Sequence, residues 1–134
     1  MISFFDQYPV AIPFIAILSA EVIKALIDLI RRRRTIRFLS SGGMPSGHSA
    51  FVSATVVVIA TKTGIGSPLF MLAAVVAVVV MYDAIHLRLE AGKHAHAINL
   101  LRNNNDLEES LGHTHLEVIF GALFGGVLSF LLLN

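Results

Sequence analysis

The chain has 134 residues, of which 55% are hydrophobic and only 14% charged, with a formal net charge of +1 and a mean hydropathy of +0.76. Soluble domains carry about a quarter charged residues, so lipid rather than water is the expected solvent. With no cysteine, a disulfide framework, a thiolate metal site and a cysteine nucleophile are excluded, and so short a chain is expected to form a single integral membrane domain over residues 1–134.

The first eight residues hold Asp6 and neither Lys nor Arg, so no cleaved signal peptide is expected. An apolar stretch then runs from Pro9 to Ile30, near the roughly 20 residues that a spanning helix needs. Glu21, Lys24 and Asp28 lie within it at three- and four-residue spacing, where they can neutralise one another or reach a site. A basic loop follows, with Arg31, Arg32, Arg33, Arg34 and Arg37. Gly42, Gly43 and Pro45 lead into a second, shorter stretch from Ser46 to Thr61. Gly64, Gly66 and Pro68 separate it from a third, Pro68 to Leu87, whose inner end carries Asp83 and then Arg88. Ionisable groups at that depth are costly and are functional candidates by default, although a long arginine can also snorkel to the headgroups. Residues 88–112 are expected to form a polar loop; His94 and His96, two apart, would point to opposite sides of a helix. The fourth stretch runs from His113 to Leu133, and Gly121, Gly125 and Gly126 give it a small-residue packing face.

Only Lys62 is basic between the second and third stretches. The positive-inside rule therefore puts the arginine loop and the 88–112 loop together in the cytoplasm, with both termini outside. The polar clusters gather at that one face. Gly42-Gly43-Met44-Pro45-Ser46-Gly47-His48-Ser49 opens the second helix, where unpaired N–H groups and the positive end of the macrodipole favour a phosphate; an ordinary Ser46 N-cap accounts for part of the same pattern. His113 and Glu117 are four apart, so a carboxylate can engage one ring nitrogen and leave the other as a nucleophile or base. The same pair can equally satisfy itself at the interface.

At these residues the sequence resembles the type 2 phosphatidic acid phosphatases, which are related to the vanadium haloperoxidases. Pro45-Ser46-Gly47-His48 matches that family's central motif, and Lys24 followed after six residues by Arg31 fits its first. The strings 42–49, Tyr82-Asp83-Ala84, Arg88 with Ala91-Gly92, Asn99, and Leu111-Gly112-His113-Thr114 with Glu117-Val118 resemble its divergent bacterial and plastid branch, over most of the chain from Lys24 to Gly125.

The four apolar stretches predict an all-α, polytopic membrane helix bundle of about four spans; the resemblance adds an expected activity. It implies a metal-independent hydrolase that removes phosphate from a lipid phosphomonoester or diphosphate such as an isoprenoid phosphate, phosphatidate or phosphatidylglycerophosphate. His113 would be the nucleophile forming a phosphohistidine, His48 the general acid and Glu117 the orienting carboxylate. Lys24, Arg31, Ser46 and Gly47 would hold the phosphate. The chain departs from the wider pattern in three places: no proline follows Arg31, Asp106-Leu107 stands where Ser-Arg is usual before the nucleophile, and Glu117 replaces an Asp. Arg34 or Arg37 is then the alternative cation, Arg88 supplies the missing guanidinium, and Asp83 supports it.

No cofactor, no metal and no nucleic acid are expected. The expected partners are the bilayer, a lipid phosphate and a second copy of the chain, since four spans fall short of the six common in the wider family. The expected location is a bacterial inner membrane. Two other readings of the same residues stay open: a metal-binding or metal-transporting protein using His48, Asp83, His113 and Glu117, and a catalytically inactive scaffold for anionic lipid.

Overall fold

The computed structural model describes residues 4–31 and 42–134, and among them the only regular secondary structure is helical. Arg32, Arg33, Arg34 and Arg37 lie outside the described residues. Six helices follow in order: α1 (Phe4–Gln7), α2 (Ala11–Ile30), α3 (Gly47–Thr63), α4 (Pro68–Ile85), α5 (Leu87–Arg102) and α6 (His115–Leu133). The starts are set by side-chain caps. Ser46, Ser67 and Thr114 each accept the N–H of the residue three positions on, and Pro68 occupies the first turn of α4, where a missing N–H costs nothing. Gly64, at a φ of 83°, ends α3 and turns the chain back into α4.

α3 is the central helix, packed against α2, α4 and α6. Its contact with α6 is made almost entirely of small residues. A Cβ added to Gly121 would strike the backbone of Ser46, and one added to Gly125 the carbonyl of Ala50. Ser53 Oγ donates to Ala122 O across the seam at 2.7 Å. Burial on α2 follows a four-residue stripe of Ile12, Ala16, Ala20, Lys24 and Asp28. The large apolar side chains point the other way: on α4 alone Leu69, Met71, Leu72, Val75, Val78 and Val79 are exposed. A water-soluble fold hides such residues, whereas a bundle in lipid packs its small residues inside and presents its large ones to the acyl chains. α6 and the α4–α5 run are long and apolar enough to cross a bilayer, with a mean hydropathy of 2.2 in each and little of either buried.

The structure corrects the expectation of a loop over 88–112. The chain stays helical to Arg102, interrupted only at His86, because Leu87–Arg102 is rich in helix formers and free of proline. Asn103, in the left-handed conformation, stops it. The remaining strap folds back onto α5 through buried Asn99, whose Nδ2 donates to Leu107 O at 2.9 Å and Glu109 Oε1 at 2.7 Å, while its Oδ1 accepts from Leu107 N at 3.1 Å. Gly92 and Gly112 let the strap lie against α5: a Cβ on either would collide with backbone. The strap thus delivers Gly112-His113 to the end of the bundle.

Candidate active site

Four chain segments meet at that end: the inner half of α2, the start of α3, the end of α4 and the residues that open α6. The same α2 stripe that begins with Ile12, Ala16 and Ala20 ends with Lys24 and Asp28, beside Glu21. Lys24 is 1% exposed, and its Nζ lies 2.7 Å from Glu21 Oε1. A buried ammonium needs such a partner. Glu21 Oε1 sits 2.6 Å from where a Cβ on Gly47 would be, so the glycine is what allows the α2 carboxylate to approach the first turn of α3.

At the start of α3, Ser46 is fully buried. Its Oγ accepts from Ser49 N at 3.4 Å and from Ser49 Oγ at 3.0 Å. Its own N–H donates to Glu117 O at 3.1 Å, which ties the two motif-bearing helices together. That N–H is therefore committed to the fold, and the N–H groups of Gly47 and His48 are the first-turn donors this helix offers an anion. His48 itself is exposed. The charges of Arg88, Glu21, Lys24 and Asp83 all act on it.

The expectation that His113 begins the fourth helix is corrected by two residues, because α6 starts at His115. Thr114 is the N-cap, and a capping box closes it: Glu117 N donates to Thr114 Oγ1 at 3.3 Å, and Thr114 N donates to Glu117 Oε2 at 3.0 Å. His113 lies just outside, held by its own N–H to Ala84 O at 2.9 Å on α4. Its Nδ1 is 3.2 Å from the same Glu117 Oε2. With that oxygen as acceptor, the proton sits on Nδ1 and the lone pair on Nε2. Burial pushes the His113 pKa below its ordinary value, against the opposing pull of Glu117, and the cationic influence of Lys24 and His48 adds to the lowering. The ring is thus neutral and oriented at neutral pH.

Asp83 Oδ2 accepts from Arg88 Nε at 3.0 Å, and both side chains are half-exposed. Contact through Nε leaves the two terminal guanidinium nitrogens for another acceptor. A cleft of about 240 Å³ is lined by Lys24, Asp28, Arg31, Gly43, Thr114 and Glu117, among others. Neither the imidazoles of His48 and His113 nor Ser46 nor Arg88 lines it. Arg31 is thereby placed with Lys24, while Arg37 lies outside the described residues. The three-residue interval of Thr114 and Glu117 is a capping-box signature legible in sequence, whereas nothing in the spacing alone singles out Glu21, the carboxylate that meets Gly47. Among the described residues, no three His, Asp or Glu side chains gather closely enough to hold a metal ion.

The model of a family described as the Divergent PAP2 family matches residues 5–128. The uncharacterized membrane protein YuiD of Bacillus subtilis (strain 168) is 36% identical over 148 aligned positions that cover 94% of each chain. No solved structure matches.

Proposed function

The chain belongs to the divergent PAP2 family, and on that footing we propose that it is a membrane lipid-phosphate phosphatase working through a phosphohistidine. The observation that carries this reading is the buried His113, fixed through Nδ1 by Glu117 with Nε2 left basic, near the start of α3, whose first-turn N–H groups suit an anion. In the proposed reaction His113 Nε2 attacks phosphorus, and the bond to the leaving alcohol or phosphate oxygen breaks as His48 delivers its proton to that oxygen. Water then attacks the phosphohistidine, giving up a proton to His48, and phosphate leaves with His113 restored. Lys24, Arg31, Arg88, Ser46 and Gly47 bind the phosphoryl oxygens and offset the charge that shifts in the transition state. The substrate is a phosphomonoester or diphosphate of a lipid, with isoprenoid phosphates, phosphatidate and phosphatidylglycerophosphate as the candidates. The site faces the cytoplasm, on the strength of the arginines at 31–34 and 37.

The test is phosphate release by the purified protein from a panel of those lipids, with and without chelator, together with acid-quench trapping of an acid-labile phosphoenzyme. Chelator-resistant release with a trapped phosphohistidine is expected. Release lost on chelation would point to metal chemistry instead, and no release from any lipid would overturn the reading.

A further inference from the structure

An apolar groove lies on the outer face of the bundle, between two helices whose inner ends belong to this site. α3 and α4 are joined by the short turn at 64–67, so the start of α3 and the end of α4 lie at the same end. Between them runs a groove of about 250 Å³, floored by Phe51, Thr55 and Ile59 and walled by Leu72, Ala73 and Val76, among other apolar residues. Its single hydroxyl, that of Thr55, donates to Phe51 O of its own helix at 2.9 Å, so no unspent donor interrupts the groove. Phe51 packs edge-on against Phe14 of α2, with ring centroids 5.3 Å apart.

Both sides of the groove run to polar heads. Thr55 and Ile59 follow exposed His48 by seven and eleven residues, intervals that return to one face of a helix. Asp83 follows Val76 by seven on α4, and it holds Arg88 Nε at 3.0 Å. The span from His48 to Ile59 is roughly 16 Å at the helical rise, about half the hydrocarbon thickness of a bilayer. An apolar groove between helices whose inner ends carry exposed His48 and the Asp83 that holds Arg88 matches a molecule with a hydrocarbon tail and an anionic head.

We propose that this α3–α4 groove seats the hydrocarbon chain of the substrate, so that the lipid enters sideways from the bilayer with its phosphate arriving between His48 and Arg88. This rests on the phosphatase reading above and adds how the substrate is chosen: by tail as well as head. Tail occupancy contributes binding in proportion to the apolar area it covers.

The experiment compares a long-chain lipid phosphate with a short-chain, water-soluble ester of the same head, using the full chain in detergent. Ala73→Phe and, separately, Ala73→Leu fill the groove. Each is expected to lower kcat/KM for the long-chain substrate by about tenfold, the loss of about two buried methylenes, while the short-chain value stays within about twofold. Val10→Phe, on the neighbouring α2–α3 face, is expected to move neither. Equal losses on both substrates, or an unchanged long-chain value, would overturn the proposal. A second arm needs no turnover: a lipid phosphate with a diazirine in its tail should crosslink to the 51–59 and 69–76 segments, and unlabelled lipid phosphate should compete where phosphatidylcholine does not. Equal competition by both lipids would make the groove ordinary lipid-facing surface, and crosslinking confined to other segments would also overturn it. If the wild type released no phosphate from either substrate, the phosphatase reading would fall, and the crosslinking arm would still decide the groove.

Discussion

The starts of α3 and α6 are built alike and do different things. Each opens on a hydroxyl N-cap, Ser46 or Thr114, that accepts an N–H three residues on, at 3.4 and 3.3 Å. Each keeps a histidine beside the cap. His113 precedes its cap, is 4% exposed and has Nδ1 engaged by Glu117. His48 follows its cap, is exposed, and among the described residues makes no hydrogen bond. One ring is fixed in position and tautomer; the other is exposed, where it can exchange its proton with water. In-line transfer of a phosphoryl group needs both kinds, a nucleophile held on line and an acid that follows the departing oxygen. The Ser46 N–H to Glu117 O bond sets the two helix starts in one frame.

The sharpest way to break that comparison is to remove the fixed ring. His113→Ala is expected to abolish turnover and phosphoenzyme alike, a loss beyond about 10⁴-fold if the covalent route is the only one open. Its helical circular dichroism should be unchanged, because the N–H to Ala84 O survives. Near-normal turnover would remove His113 from the nucleophile's role. The next largest effect is expected at the exposed ring. His48→Ala should cost about 10²–10⁴-fold on an alkyl or prenyl phosphate, the usual contribution of a general acid. An aryl phosphate, whose leaving group needs little protonation, should lose less than about tenfold and still give phosphoenzyme. Equal losses on the two substrates would show that His48 does something other than protonate the leaving oxygen.

How legible these features were in the sequence depends on what kind of signal each left. The all-helical membrane class was open to reading because α4 and α6 are continuous apolar runs. The Gly121 and Gly125 packing face was legible from its four-residue spacing, whereas its partner, α3, comes from the structure. α5 was missed because it buries Gly92, Ala95 and Asn99, small or polar residues that leave no apolar period to find. The His113–Glu117 pair was legible from its four-residue interval, although His113 reaches Glu117 from outside the helix, through the cap, and not along one of its faces. Glu21 and Asp28 could not be placed from spacing, because the same interval serves a self-neutralising cluster and a site. Burial separates the cases: Lys24, Asp28 and Glu21 lie at 1%, 1% and 5% exposure, on the stripe that faces the other helices.

The smallest expected effect sharpens the comparison most, because it tests why the fixed ring is fixed. Glu117 does two jobs through one oxygen: Oε2 accepts from Thr114 N at 3.0 Å and lies 3.2 Å from His113 Nδ1. A glutamine carbonyl can accept both hydrogen bonds, so Glu117→Gln should keep the cap, the tautomer and the fold. What it removes is charge. A hydrogen bond to a charged group exceeds a neutral one by about 1–1.5 kcal/mol, so kcat/KM should fall by roughly tenfold, far less than in His113→Ala. The pH profile then gives the sign. Attack needs the neutral ring, so activity declines as pH falls through the His113 pKa. Burial holds that pKa below its ordinary value, and the Glu117 carboxylate opposes the lowering. Taking the carboxylate away removes the opposition, so the acid limb of kcat/KM should move to still lower pH. A limb that stayed in place or moved up would mean that Glu117 does not act on the titrating group, and the two histidines would lose the carboxylate that distinguishes them.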